Sequence, residues 1–317
     1  MALMHHIALE PKLNFMGRKH WFFAIALVIV LGSIALVLVK GINFGVDFRG
    51  GLLIEIQTNG PAELDQMRSD LNRLGLGDVV LQTFGEPDVV LINLPSQGEE
   101  EGAQELALQQ IRTALGDRVT EYRRIEAVGP KVGDELRTAG TIATVLAMLG
   151  IALYVWARFD LAYGIAALIA LVHDVIGTVG FYALSGTEFN LTTLAAVLTV
   201  AGYSINDTVV IYDRVREELR RYKRMPIPEL LNKALNATLT RTFLTSFTTL
   251  LSLFGLYFFG GEVIRGFTAG IIVGVVLGTF STWGVAVPLL SYTRLRRGKE
   301  SSAEDKATLP AKGSEAS

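Results

Sequence analysis

The chain contains no cysteine, which removes disulfides, thiolate catalysis and cysteine-ligated metals together while saying little about compartment. Charge is also scarce: Asp, Glu, Lys and Arg make up 19% of the residues, below the usual quarter. A net charge of −2 supplies no broad basic field, so nucleic acid is not an expected partner. The only histidines are His5, His6, His20 and His173, and no HExxH helix is present for a metalloprotease. Gly202-Tyr203-Ser204 resembles a fragment of an intramembrane serine protease site, but no histidine follows it. A GxGD aspartyl protease motif and a Walker-type phosphate loop are both missing. The expectation is a protein that is not an enzyme, hydrolyses no ATP and holds no metal or cofactor.

What is plentiful is apolar surface. Half of the residues are hydrophobic, and the mean hydropathy is +0.39, unusual for a soluble chain of this length. Crossing ~30 Å of hydrocarbon takes about 20 mostly apolar residues. Six runs qualify: Trp21–Val39, Thr141–Ala157, Leu161–Leu184, Leu191–Tyr212, Phe243–Gly260 and Val263–Leu290. The first follows Lys12, Arg18 and Lys19 as a signal peptide would. It is too long for an h-region and no small-x-small cleavage site follows, so it reads as a retained anchor. Lys and Arg gather at the N-terminus, at Arg158, in the 214–241 loop and at Arg294–Lys299, whereas the Ser185–Asn190 loop has none. By the positive-inside rule both termini are cytoplasmic. Residues 1–20 form the cytoplasmic N-terminus, 21–39 the first span and 138–292 a five-helix bundle. Residues 293–317 are polar and small and read as a disordered tail.

Residues 40–137 are too polar for lipid and form one external domain. Strands are predicted at Leu52–Gln57, Val79–Phe84, Val89–Leu94 and Val119–Val128. One helix is predicted to open with Pro61 at its first position and turn Leu64, Met67, Leu71 and Leu74 inward. A second is predicted from about Glu99 to Leu115 with Leu106, Ile111 and Leu115 inward. The order β-α-β-β-α-β is the split βαβ, ferredoxin-like sandwich. Glu99-Glu100-Glu101 suits the first turn of that helix, where acids meet the dipole. Ahead of the domain lies Gly45-Val46-Asp47-Phe48-Arg49-Gly50-Gly51. It reads either as a turn into a strand or as an unusual backbone fixed against neighbouring spans, since glycine permits positive φ in both cases.

A charge at the bilayer centre costs about 2.5–3.5 kcal/mol on insertion scales, so an ionisable residue there is a functional candidate. His173 and Asp174 lie midway along the third run and Asp207 within the fourth. His173 and Asp174 read as polar glue between helices or as part of a proton path. Being adjacent, they point ~100° apart on a helix and should not share one partner. Asp207 reads as a proton carrier or as a static polar contact. Arg241 keeps its proton, so it reads as an intermittent partner for Asp207 or as a snorkelling anchor. Asn206 and Asp213 are seven apart, hence on one helix face, and are placed along the same path. Gly270, Gly274 and Gly278 recur every four residues, a face for close helix approach or a substrate pathway. Leu230, Leu231, Ala234 and Leu235 make Pro228–Thr238 an amphipathic stretch expected at the membrane surface.

These motifs together resemble the SecF family. Gly45–Gly51 looks like its GxDFxGG signature, and Gly202-Tyr-Ser-Ile-Asn-Asp-Thr-Val-Val-Ile-Tyr-Asp-Arg-Val-Arg-Glu217 is similar to its fourth-span signature. Asn236-Ala-Thr-Leu-Thr-Arg-Thr242 and Gly278-Thr-Phe-Ser281 match later motifs, and the similarity runs in order over roughly residues 15–295. The resemblance implies a multi-pass subunit of the bacterial inner membrane, within the resistance-nodulation-division superfamily, whose ferredoxin-like domain is periplasmic. It implies pairing with SecD in the SecDF complex and use of the proton gradient to help draw preproteins from the SecYEG channel. The family's proton-path aspartate falls on Asp207 and its arginine partner on Arg241. A proton-coupled exporter of the same superfamily would normally need two six-span halves and larger external domains. A passive translocon scaffold is the other alternative.

Overall fold

A computed structural model describes residues 13–77, 79–98, 102–293 and 295. Helix α1 spans Lys19–Lys40 and is followed by the short helix α2, Val46–Arg49. The external domain comprises β1 (Gly51–Thr58), α3 (Leu64–Asn72), β2 (Val80–Phe84), β3 (Glu86–Pro95), α4 (Ala103–Leu115) and β4 (Val119–Val128). Then come α5 (Pro130–Arg158), α6 (Leu161–Ser185), α7 (Leu191–Arg221), α8 (Ile227–Phe259) and α9 (Glu262–Ser281). A π-helical turn, Thr282–Ala286, carries α9 into α10, Val287–Leu290.

Among the described residues, six helical segments are long and apolar enough to cross a membrane: α1 with the turn before it, α5, α6, α7, α8, and α9 continued through α10. α6 and α7 are the most enclosed, and α5 is the least. The sheet order is β2-β3-β1-β4 with every pair antiparallel, the split βαβ arrangement. Leu52, Ile54 and Ile56 alternate onto the face covered by α3 and α4, where Met67, Leu71, Ile111 and Leu115 are buried with them.

Three local expectations need correction. α3 starts at Leu64 with Glu63 as its N-cap, not at Pro61; Ala62 N–H instead bonds the carbonyl of Pro87, which holds that segment extended. Leu106 is 62% exposed and Ala107 takes the inward position, because the i, i+4, i+8 set facing the sheet is Ala107, Ile111 and Leu115. The 214–241 stretch is no loop: α7 and α8 continue through it and only residues 222–226 lie between them. Leu230, Leu231, Ala234 and Leu235 are fully buried against Tyr212, Val215 and Leu219 rather than laid on a membrane surface. An amphipathic face buries itself in protein when a facing apolar helix is available. The Glu99-Glu100-Glu101 run, the start of α4 predicted there, residues 1–12 and the polar tail all lie outside the described residues, apart from Thr293 and Leu295.

The external domain is tied to the bundle where the chain enters and leaves it. Only Gly129 separates β4 from α5, whose first residue is Pro130. Gly50 and Gly51 adopt φ of +70° and +136°. A Cβ at Gly50 would lie 2.8 Å from Pro130 Cα, and one at Gly133 would lie 2.8 Å from Gly50 N. Elsewhere a cleft of about 850 Å³ lies between the sheet face opposite α3 and α4 (Leu53, Gln82, Leu91) and the bundle ends (Glu188, Glu262, Arg265), with Leu53 and Leu91 buried against Val46.

Leu71→Ala removes a fully buried side chain from this sheet–helix core and should destabilise the domain by about 2–5 kcal/mol. Leu106→Ala, at a 62% exposed site, should stay within about 0.5 kcal/mol. Hydrogen exchange of the amides of β1 and β3 measures both; equal effects would contradict the packing described.

Candidate functional site

The middle of the bundle holds a polar cluster at the junction of α6, α7 and α9. Asp174 is completely buried and His173 nearly so. Asp174 Oδ2 accepts hydrogen bonds from Ser204 Oγ of α7 at 2.5 Å and from Ser281 Oγ of α9 at 2.8 Å. Its Oδ1 lies 2.9 Å from His173 Nδ1. The two neighbours meet each other but share no third partner, as expected of adjacent helical positions, and the buried His173 Nε2 has no hydrogen-bond partner. The imidazole turns back along α6 to reach Oδ1, leaving Oδ2 to serve the other two helices. Thr208 and Thr282 hydroxyls pair at 3.0 Å between α7 and the π-helical turn. That turn begins directly after Ser281, and such turns recur at functional sites.

Asp207 looks the other way, toward α8. It is 5% exposed. Its Oδ1 is reached by Thr245 Oγ1 at 3.5 Å, while its buried Oδ2 has no hydrogen-bond partner. Arg241 stands one helical turn before Thr245 on α8 and is exposed. Its charge acts on Asp207 across the gap, yet the two form no ion pair among those of the described residues. Thr242 Oγ1, also buried, is likewise without a partner. Ser246 and Thr279 hydroxyls join α8 to α9 at 2.8 Å. Among the described residues, the middle of the bundle thus holds two carboxyls, Asp174 hydrogen-bonded at both oxygens across three helices and Asp207 with one oxygen unpartnered. The third buried carboxyl of the described bundle, Glu218, lies near the end of α7 and is paired with Arg214 and Lys233.

Asn206 and Asp213 do share a face, but it is the outward one: both are exposed, and Asp213 pairs with Arg158 of α5 at 3.1 Å. They are not brought to the Asp207 pocket. Gly278 faces Ser204, with a Cβ there falling 3.0 Å from Ser204 Cβ, so the glycine lets α9 approach the Asp174 network. Gly270 makes room for the buried Tyr182, whose hydroxyl donates to the Gly266 carbonyl at 3.1 Å. Sequence reasoning gave no role to Thr242, Thr245 and Ser246. The available signal was a helix-spaced series of hydroxyls in α8 opposite an intramembrane acid.

The glycine motif performs both roles considered for it. It turns the chain into β1, and it docks on the spans. Asp47 Oδ2 accepts from Leu191 N at 2.8 Å, placing a carboxylate at the N-terminus of α7 where the helix dipole favours it. Phe48 is buried against Phe44 and Phe189, and Arg49 donates to the Ile42 carbonyl at 3.3 Å. Gly45 N–H bonds the Phe189 carbonyl at 2.9 Å, and the Glu188 side chain lies over Gly45 where a Cβ would collide. Burial, followed by the Asp47 and Glu126 carboxylates, holds the Glu188 carboxyl above its ordinary range, and Arg124 opposes this.

Comparison with known proteins follows the same motifs. The model "Protein export membrane protein SecD/SecF, C-terminal" matches residues 108–296, and the "SecD/SecF GG Motif" matches residues 35–62. Against the protein translocase subunit SecF of Desulfurispirillum indicum the chain is 44% identical over 283 residues, covering 86% of this chain and 90% of that one. The chain belongs to the SecF family. The corresponding subunit of Rickettsia felis is 42% identical over 281 residues, covering 88% and 91%. The crystal structure of SecDF from Thermus thermophilus, a translocon-associated membrane protein, matches with a TM-score of 0.78 at 35% identity, over 88% of this chain and 38% of that one. A super-membrane-facing form of SecDF matches at 0.65, with 35% identity, over 89% and 39%. The chain thus spans little more than a third of those SecDF chains.

Two outcomes test this geometry. A double-mutant cycle of Asp174→Asn with Ser281→Ala should give a coupling of about 0.6–1.7 kcal/mol, read from unfolding in detergent; additivity would show the hydrogen bond to be idle. Because Glu188 binds its proton more tightly when folded, its contribution to docking is present at low pH. It is lost as pH rises from the ordinary carboxylate range through the raised folded value. Proteolytic protection of the Gly45–Gly51 segment should fall over that interval, and Glu188→Gln should remove the slope.

Proposed function

We propose that this chain is the SecF-type half of a proton-driven protein-export motor in the bacterial inner membrane. In this reading it pairs with SecD and helps draw preproteins through and away from the SecYEG channel. Both termini are cytoplasmic, and the sheet domain of residues 51–128 is periplasmic. It acts as a transducer with no enzymatic chemistry of its own.

The carrying observation is Asp207: a carboxyl buried in a membrane span, with one oxygen unpaired and a fixed cation, Arg241, one turn from its only hydroxyl partner. Such a group exchanges a proton with its surroundings at lower cost than the fully bonded Asp174. Protonation cancels the attraction to Arg241, so α7 and α8 lose an interaction that the ionised state retains. One charge crossing 100 mV releases about 2.3 kcal/mol, enough for a few protons to drive a shift of helices. α5 enters β4 through Gly129 alone, so a shift of α5 is delivered to the domain without a slack linker, and the 850 Å³ cleft leaves it room. A helical partner is supported by α7 itself, where Ala195, Thr199, Gly202 and Asn206 are exposed at helical spacing. Small and polar residues facing lipid in mid-span form a surface suited to another helix.

Asp207→Asn should abolish the proton-gradient dependence of preprotein translocation in inverted membrane vesicles while leaving the subunit folded and assembled. Arg241→Ala should weaken that dependence and Arg241→Lys restore part of it. Unchanged gradient dependence in Asp207→Asn would reduce the chain to a scaffold.

A further inference from the structure

Away from the polar cluster, α5 stands off from its neighbours. It touches them at Gly133 and Gly140 near one end, where Gly140 meets Leu194, and at Val155 near the other. Between these contacts Ile142, Val145, Leu146 and Leu149 are exposed. The result is a groove of about 640 Å³ between α5, α6 and α7, walled by Val145, Met148, Val175, Val179 and Leu194 and floored by Phe48. Its polar residues are Arg137, Thr138, Thr141 and Thr144 of α5, with the one charge, Arg137, at the end nearest Gly133.

We infer that this groove holds one acyl chain of a membrane phospholipid, with the Arg137 guanidinium set against the headgroup phosphate. Its dimensions favour this occupant over a helix. From Arg137 to Met148 is eleven residues, an axial rise of ~16 Å, or one leaflet of a hydrocarbon core ~30 Å thick. With the Arg137 guanidinium at headgroup level, a groove of this length reaches mid-bilayer. Its α6 and α7 walls are branched, with Val172, Val175, Ile176, Val179 and Leu194, and its small residues Gly140, Thr141 and Thr144 are confined to α5. A docking helix is served better by a continuous stripe of small and polar residues, as on α7 at Ala195, Thr199 and Gly202. A flexible chain fills an uneven, branched wall that a rigid helix cannot follow. The charge also matches: Arg137 is partly exposed and paired only with the more exposed Asp134 at 3.1 Å, so its cation is accessible to a phosphate as a long basic side chain at an interface is. Phe48 belongs to the segment tying the external domain to the spans, so the bound chain also supports the junction of α2 with α5.

The full-length chain, purified in mild detergent and examined by native mass spectrometry, should retain one phospholipid per molecule. Val145→Trp and Val175→Phe, which fill the groove, should lose it, and Arg137→Ala should lower its retention. Because a bulky variant can misfold, a photoreactive residue in place of Met148 provides a second readout in an otherwise native chain. Irradiation after detergent extraction should yield a lipid adduct there and none from the same residue at Leu31 on the exposed side of α1. No retained lipid, retention unaffected by the groove-filling variants, or equal adducts at both positions would overturn the assignment. A protein adduct at Met148 in native membranes would overturn it in favour of a partner's helix.

Discussion

A carboxyl group inside a hydrocarbon bilayer has to find donors from the protein around it. Asp174 meets that requirement with a serine from each of two other spans and the imidazole beside it. In doing so it sets α6, α7 and α9 around one point. Much of the rest follows from this junction. Gly278 is small because α9 must approach Ser204 there, and Ser281 passes directly into a π-helical turn. The same turn sends Thr282 to Thr208, which holds α7 one helical turn further along. Asp207 lies between these two contacts in sequence, yet faces the other side of its helix.

The contrast between the two acids organises the bundle chemically. One is hydrogen-bonded at both oxygens and joins three helices. The other has an unused oxygen and a cation held at a distance, which suits a group whose charge changes during work. Polar residues in membranes are commonly read as a single class. Here hydrogen-bond satisfaction separates them more sharply than depth does, because an unmet acceptor in a low-dielectric site leaves a choice between protonation and rearrangement.

The connection to the sheet domain is equally economical in parts. Both chain passages into the sheet domain run through glycines in contact with one another, and Asp47 reaches across to the first turn of α7. The domain is therefore clamped at its base, and across the cleft its β2–β3 turn meets the bundle at Gly85, over which the Glu262 side chain lies.

The class, six spans and the strand–helix order of the external domain were legible in the sequence. Apolar run length and period-2 alternation are local properties that the bilayer and the sheet read directly. Asp207 and Arg241 were also visible, because charge within an apolar run needs no fold to be noticed. The position of the polar partners was not. Whether Asn206 faces inward or outward depends on a rotation of α7 about its own axis, set by Val200, Ser204 and Thr208 packing against other helices. The burial of Leu230, Leu231, Ala234 and Leu235 likewise depended on whether a protein or a lipid face stood opposite. The joining of His173 to Asp174, and of Asp174 to Ser204 and Ser281, required three helices distant in sequence to be brought together. The sequence alone determined which groups had to be satisfied inside the membrane. Only the tertiary structure decided which of them were, because a hydrogen bond between spans depends on helix rotation and spacing that no local pattern encodes.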